Sequence, residues 1–340
     1  MLIPFDPDVR WSGVPLFEGL ALLRELGVRL CWPSRNEFLL GGISECFPGL
    51  CLHSSLSDVD HDLTPREPSV SIACAFKPSP EVTSWARRIK ATLALPTERL
   101  YAQLSDKLEL LEIAQGSGVE VPRTAIVQRP TAQILAELHD SYGGMCVVQR
   151  RVDGLTGGGT ALAGSYYELV DAVHRWHGEI LKITPYIEGL PCTVSGVIFG
   201  PRRVCATTVT HQLVETEGRS FGRHFGNQII GENDLRPGQV ASIRDMARRI
   251  GIGLAARGLL GCFGIDLVMP TTGQPVLIEI NPRLQSATSL ANLQERLSKM
   301  LPSRARSGRS WPVLGSSRPS EPFTRETRHF ASRRLRRPIR

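Results

Sequence analysis

The 340-residue chain contains no uninterrupted apolar run near the ~20 residues a membrane-spanning helix requires, so no membrane partner is expected. Its first residues, Met1-Leu2-Ile3-Pro4-Phe5-Asp6, lack the basic start and sustained apolar stretch of a secretion signal, and a cytoplasmic location is expected. No C-x-x-C pair occurs among the eight cysteines, which are scattered through apolar surroundings and read as buried, reduced thiols. The nearest thing to a metal cluster, Cys46, Cys51 and His53, lacks a fourth ligand and a second close pair, which argues against zinc. No Ser sits in a nucleophile-elbow context, so a Ser-His-Asp hydrolase has no support.

What is present is ordinary globular composition, 41% hydrophobic and 21% charged, which excludes a mainly disordered or collagen-like chain. At roughly 150 residues per domain the length suggests about two domains. The net charge of +7 is concentrated at one end: residues 301–340 hold eleven Arg and two Glu, so the first 300 residues carry −2. That Ser-, Pro- and Arg-rich tail is expected to be disordered. It reads first as a solvated tail, and nucleic acid is not expected as a partner. A nucleic-acid role would show as salt-dependent binding lost with residues 301–340.

Residues 1–104 alternate helix-like and strand-like pieces: a helix over Leu16–Leu26 ending at Gly27, strands at Val28–Trp32 and Val70–Phe76, and a helix over Val82–Leu93. The alternation predicts a small α/β domain with a parallel sheet. From residue 105 the pattern predicts helices at Leu108–Gln115 and Thr131–Tyr142, strands at Cys146–Gln149 and Thr160–Ala163, and a helix at Tyr166–His177. Strands follow at Ile180–Ile187, Thr193–Phe199 and Arg203–Val209, then a helix over Val240–Gly258 and a hairpin from Cys262 to Asn281. The Gly-rich stretch holding His211, Arg223, His224 and Asn227 reads as a loop, equally one that touches an acceptor substrate and one that is merely solvated.

The hairpin is the most informative segment. With its centre between Thr272 and Gly273, Ile265 faces Ile280, Leu267 faces Ile278, and Asp266 faces Glu279. Two carboxylates across a strand pair repel, and the apolar flanks add a desolvation cost, so a positive partner is needed. Side chains repeat every two residues, which puts Glu279, Asn281 and Arg283 on the face of Asp266. Two carboxylates and an amide oxygen suit Mg²⁺, with Mn²⁺ as the alternative. A salt bridge between Glu279 and Arg283 with Asp266 exposed would explain neither the Asn nor the register.

Between two predicted strands lies Asp153-Gly154-Leu155-Thr156-Gly157-Gly158-Gly159-Thr160, whose glycines let backbone N–H groups approach phosphate. It is not a Walker loop, since no Gly-Lys-Ser/Thr follows, and it is not a G-x-G-x-x-G opening a helix. Joined to the carboxylate-Asn hairpin, it suggests a lid over a nucleoside triphosphate.

In this order the segments resemble the ATP-grasp superfamily, over about residues 105–297. The resemblance rests on Asp106-Lys107, Gly118-Val119, Val121-Pro122-Arg123-Thr124, the glycine loop, Ile183-Thr184-Pro185-Tyr186-Ile187-Glu188-Gly189, Gly264-Ile265-Asp266 and Glu279-Ile280-Asn281-Pro282-Arg283. It implies an α/β and α+β architecture, in which residues 1–104 precede a two-subdomain ATP-grasp fold with antiparallel sheets. The lid subdomain would span about residues 105–185, the metal-site subdomain about 186–300, and the tail 301–340. It further implies that Lys107 contacts ATP phosphate, that Gly157, Gly158 and Gly159 form the lid, and that Pro185, Tyr186, Ile187 and Glu188 form the adenine hinge. Asp266, Glu279 and Asn281 would hold Mg²⁺, and Arg283 would stabilise an acyl phosphate. In the family the strand before the lid usually supplies a second lysine, and here that strand offers Gln149, with Arg150 and Arg151 as candidates to compensate. No carboxylate follows Glu188-Gly189 to hold a ribose, and Leu284-Gln285-Ser286-Ala287-Thr288 lacks the glutamate base of the carboxylase branch.

The expected activity is therefore an ATP-dependent ligase joining a carboxylate, of an amino acid or peptide, to an amine through an acyl phosphate. A kinase-like phosphoryl transferase and a nucleotide-binding protein without turnover are the alternatives. The substrate pair and the oligomeric state are left open.

Overall fold

The computed structural model describes residues 2–5, 31–33, 51–53 and 72–75 by their backbone, and residues 77–88, 90–93, 95–151, 159–215, 222, 224–230, 234–271 and 273–285 with side chains. The expected helix Leu16–Leu26, Cys46, Gly157, Gly158, Arg223 and the 301–340 tail lie outside these residues.

Strands β1 (Leu2–Phe5), β4 (Ile72–Ala75) and β5 (Thr92–Leu93) form a parallel sheet in the order β1-β4-β5, and β2 (Cys31–Pro33) pairs in parallel with β3 (Cys51–His53). This is the parallel pairing expected for the first 104 residues. Helix α1 (Pro80–Arg88) buries Val82, Trp85 and Ala86, and it ends five residues before the expected Leu93. Thr92 and Leu93 instead add a strand to the sheet, and Lys90 takes a positive φ at the break.

Helices α2 (Glu98–Leu104) and α3 (Lys107–Gly116) follow. Asp106 caps α3 by accepting from the Leu108 N–H at 3.0 Å, which makes Lys107 the first residue of the helix. A four-stranded antiparallel sheet comes next, ordered β6-β9-β7-β8, from β6 (Ala125–Gln128), β7 (Cys146–Arg150), β8 (Thr160–Ala163) and β9 (Ile180–Pro185). Strand alternation gives this sheet two unlike faces. Cys146, Val148, Ala161, Ala163, Leu181 and Ile183 pack against Leu135 of α4 (Ala132–Ser141) and Leu169 of α5 (Tyr166–Arg175). Gln149, Lys182 and Thr184 alternate with those residues and so point to the opposite face, yet they too are buried.

The second antiparallel sheet has five strands ordered β12-β11-β10-β13-β14: β10 (Leu190–Gly200), β11 (Arg203–Val214), β12 (His224–Ile229), β13 (Gly261–Met269) and β14 (Val276–Asn281). Its apolar face, with Cys192, Val194, Phe263, Ile265, Leu267 and Ile280, lies against Ile243, Met246 and Ile250 of the long helix α6 (Pro237–Ala256). Of the stretch expected to be a loop, His211, His224 and Asn227 lie instead in paired sheet: β11 continues past Val209 to Val214 and takes β12 as its neighbour. Thr and Gln side chains alternate there with apolar ones, a weaker strand signal than the Val- and Ile-rich runs elsewhere. Among the described residues, no helix is long and apolar enough to cross a membrane.

Residues 1–299 form one compact unit. The packing of α6 on β13 is close: a Cβ on Gly251 would lie 2.5 Å from Val204 Cγ1 and 2.9 Å from Phe263 Cζ. Gly238, in the first turn of the same helix, has open space around it. Helix propensity alone favours Ala at both positions by up to ~1 kcal/mol. We expect Gly251→Ala to destabilise by about 1–3 kcal/mol, because overpacking outweighs propensity, and Gly238→Ala to be neutral or slightly stabilising. Urea midpoints of the two variants check the difference.

Candidate functional site

The two carboxylates meet as expected. In the β13–β14 pair Asp266 lies opposite Glu279, Ile265 opposite Ile280, and Gly264 opposite Asn281. Beyond Asp266 the expected register fails: Leu267 faces Leu277, not Ile278, because one extra residue is accommodated on β14. A bulge of this kind bends the strand and turns a backbone carbonyl out of the ladder. The Ile278 carbonyl accepts from Lys182 Nζ of β9 at 3.3 Å, so the irregularity next to Glu279 joins the two antiparallel sheets.

Asp266 is centred in a row that crosses four strands. Thr193 of β10 is opposite it on the other side, and Thr210 of β11 is opposite Thr193. Thr193 Oγ1 donates to Asp266 Oδ1 at 2.7 Å, and Asn281 Nδ2 donates to Asp266 Oδ2 at 2.9 Å. Gln285 Nε2 donates to Asp266 Oδ1 at 3.1 Å. Gln285 is buried and fits over β13 only because Gly264 has no Cβ, which would occupy the space of its amide. The sequence reading missed Gln285 as a site residue, although one more step of the alternation through Glu279, Asn281 and Arg283 reaches it.

On the other carboxylate, Lys107 Nζ donates to Glu279 Oε1 at 2.8 Å. Desolvation, then the charge of Glu279, hold the Asp266 carboxyl above its ordinary range, against opposing contributions from Thr193, Arg283 and Asn281. Burial also pushes Glu279 up, but the charge and hydrogen bond of Lys107, with Lys182 and Arg283, outweigh it and bring Glu279 below its usual value. The pair thus divides into one carboxylate that is firmly ionised and one that is protonated more readily. Arg283 acts on both, and its Nη1 also donates to the Leu284 carbonyl at 3.0 Å.

Gln149 is buried on β7 and directly opposite Lys182 of β9, with Nε2 3.4 Å from Thr160 Oγ1. Both neighbouring arginines are engaged in ion pairs. Arg150 Nε is paired with Glu179 Oε2 at 2.6 Å, and Arg151 clasps both Asp106 oxygens at 2.6–3.0 Å. Lys182 is the cation that the sequence reading overlooked. Its signal was a lysine inside the apolar strand Ile180-Leu181-Lys182-Ile183, a pattern that a solvent-facing position would share. Burial, then repulsion by Lys107, lowers its pKa to about 8, with Glu279 opposing the shift.

The hinge residues join β9 to β10. Pro185, Tyr186 and Ile187 are half-buried and Glu188 is exposed. The Tyr186 N–H donates to the Met145 carbonyl at 2.9 Å, so that group is already engaged within the protein. Gly159 is placed at the mouth of β8, its carbonyl accepting from the Arg150 N–H at 2.9 Å. His224 and Asn227 lie on β12, with His224 Nε2 3.0 Å from Asn227 Oδ1, and Asn227 Nδ2 donates to Thr210 Oγ1 at 3.4 Å. They extend the polar row from Asp266. His211, opposite Cys192, turns to the apolar side, where burial lowers its pKa against the opposing charge of Asp234. Of the described cysteines, Cys146 and Cys192 are buried, Cys262 is intermediate and Cys205 is exposed, all as free thiols.

Among the described residues, no three His, Cys, Asp or Glu side chains form a metal-holding group. Two carboxylates with one amide make an incomplete shell of hard oxygens, the kind of set Mg²⁺ accepts when water and phosphate supply the rest. In the structure the positive partner that the repulsion of Asp266 and Glu279 calls for is Lys107, bonded to Glu279.

Comparison with protein families matches residues 104–287, just over half of the chain, to the ATP-grasp domain. The chain belongs to the ATP-grasp family. Solved structures similar to this ATP-grasp protein include carboxyaminoimidazole ribonucleotide synthase from Aspergillus clavatus in complex with ATP. The identity is 12%, the TM-score 0.58, and the match covers 89% of this chain and 78% of that one. Biotin carboxylase from Campylobacter jejuni, as a β-γ-ATP complex, matches at 12% identity and TM-score 0.63, over 86% and 67% of the two chains. Phosphoribosylamine–glycine ligase from Thermotoga maritima matches at 14% identity and TM-score 0.57, over 85% and 70%. At these identities the likeness establishes the ATP-grasp fold. No curated protein matches the chain.

The clasp between Asp106 and Arg151 ties the start of α3, and with it Lys107, to the end of β7. Asn at position 106 would keep the helix cap and lose the ion pair. We expect Asp106→Asn to be less stable than the parent by about 1 kcal/mol near neutral pH. Arg151 holds the Asp106 carboxyl below its ordinary 3.8, so the parent's advantage is full above that value and fades as pH falls through the lowered one. Urea midpoints at about pH 7 and about pH 3 test this, and a gap of equal size at both would contradict it.

Proposed function

We propose that this ATP-grasp protein is an ATP-dependent ligase that joins a carboxylate, of an amino acid or short peptide, to an amine. The observation that carries the reading is the opposed pair Asp266–Glu279, with Asn281 and Arg283 on the same face and Lys107 bonded to Glu279. The names of the structural neighbours support the class: a ribonucleotide synthase and a glycine ligase are among them, and two of the three are ATP complexes. The proposed division of labour places residues 1–104 before an ATP-grasp body at 105–300, with the lid part at about 105–185 and the metal part at about 186–300. Residues 301–340 follow as a tail outside it.

In this reading Asp266, Glu279 and Asn281 would hold Mg²⁺ or Mn²⁺, which supplies positive charge to the phosphates of ATP. Lys107 contacts the phosphate chain, Gly157, Gly158 and Gly159 close over it, and Pro185, Tyr186, Ile187 and Glu188 border the adenine. Since the Tyr186 N–H is engaged by Met145, the base would be read by the other hinge groups. A substrate carboxylate oxygen attacks the γ-phosphorus, the bond to the bridging oxygen breaks, and ADP leaves. The amine nitrogen then attacks the acyl carbon, phosphate leaves with the electron pair of the C–O bond, and the nitrogen loses a proton. Arg283, beside the carboxylates, stabilises charge on the transferred phosphoryl group. Exclusion of water preserves the acyl phosphate for the amine.

Gln149, neutral on the strand that leads to the glycine loop, favours a second reading: a nucleotide-binding protein without turnover. ADP formation with Mg²⁺-ATP and pooled amino acids separates the two. A ligase releases ADP only with the pool, and Glu279→Gln loses roughly a hundredfold or more of that rate. Binding without release in the parent supports the second reading. ADP release with a phosphorylated acceptor and no amine requirement indicates a kinase-like transferase.

A further inference from the structure

Lys182 is 4% exposed, and its only hydrogen bond among the described residues is the 3.3 Å one to the Ile278 carbonyl. An ammonium carries three donors, so two of them have no protein acceptor there. Its charged surroundings are Lys107, which repels it, and Glu279, which attracts it while already bonded to Lys107. Burying an ammonium on these terms costs free energy that one hydrogen bond and a carboxylate shared with Lys107 offset only in part among the described residues.

The charges around it do not balance either. Lys107, Lys182 and Arg283 stand against Asp266 and Glu279, an excess of one positive charge, and a divalent ion would raise the excess to three. Only a polyanion brings that close to neutrality. An ammonium presented as a point charge at the end of a flexible stem suits phosphate oxygens better than a planar carboxylate. The cross-strand neighbour then gives the position its meaning. Lys182 and Gln149 are direct partners in the β7–β9 register and share a face, so a cation on either strand serves the same region of the site.

We propose that Lys182 of β9 supplies the phosphate-binding cation that Gln149 of β7 does not, so that the triphosphate of ATP is held from the neighbouring strand. The inference rests on the ATP-binding reading above and adds a residue to it. Gln149, bonded to Thr160, becomes a neutral spacer beside the lysine. A competing role for Lys182 is structural, a pin on the bulged Ile278 carbonyl that joins the two sheets.

Calorimetric titration with Mg²⁺-ATP and with adenosine, on the parent, Lys182→Gln and the exchanged variant Gln149→Lys/Lys182→Gln, tests the assignment. We expect Lys182→Gln to weaken Mg²⁺-ATP binding at least about tenfold and adenosine binding less than about twofold. Its thermal midpoint should be equal to or above the parent's, since a buried charge has been removed. The exchanged variant should recover most of the lost affinity. Unchanged Mg²⁺-ATP binding in Lys182→Gln, equal loss for adenosine with a lowered midpoint, or no recovery on exchange would each overturn the assignment while leaving the ATP reading standing. A parent that binds no Mg²⁺-ATP would sink both.

Discussion

The repulsion between Asp266 and Glu279 is the constraint around which the rest of the site is arranged. Side by side on β13 and β14, the two carboxylates would weaken the strand pair. The protein answers with different partners for each. Asp266 receives neutral donors from Thr193, Asn281 and Gln285, whereas Glu279 receives the ammonium of Lys107. This asymmetry pushes the two carboxyl groups in opposite directions, one harder and one easier to ionise. With Lys182 and Arg283 counted beside Lys107, three cations surround the two carboxylates and leave the cluster one positive charge in excess.

Both antiparallel sheets follow one plan. Each puts an apolar face under helices and a polar face toward the site, and the period of two separates the functions residue by residue. Leu181 and Ile183 belong to the core, while Lys182 and Thr184 between and beside them face the site. Ile265 and Leu267 pack near α6, while Asp266 between them joins a polar row. The contacts from Lys182 to the Ile278 carbonyl, Lys107 to Glu279 and Arg151 to Asp106 carry this arrangement across elements distant in sequence. Buried polar groups are exacting members of such an arrangement, since each must be paired or filled by ligand.

Most of the architecture was legible because the relevant signals are local. Strand alternation, helix periodicity and glycine at the stops located most described elements from Lys107 onward to within a few residues, with β6 and β12 unanticipated. The errors fall where local preference was indecisive. Val82–Leu93 continues an apolar pattern through a helix end at Arg88, and the β11–β12 pairing is written in Thr, His, Gln and Asn, whose strand preference comes from their neighbours. Asp266, Glu279, Asn281 and Arg283 could be grouped because a hairpin makes sequence distance and spatial distance nearly the same.

The sequence by itself determined the carboxylate pair, the glycine loop, the order of the segments and the resemblance they form, since each depends on spacing within a strand, a turn or a helix start. Only the tertiary structure decided which cations serve the site. Lys107 reaches Glu279 across 172 residues, and Lys182 reaches Ile278 across 96. Arg150 and Arg151, adjacent to Gln149 in sequence, are drawn away to Glu179 and Asp106. The bulge at Ile278 has the same character: a slip of one residue is not written in the local pattern, and the carbonyl beside it is engaged by Lys182 from the other antiparallel sheet. Charge acts through space, so the partner of a buried charge is settled by packing and not by its neighbours in the chain.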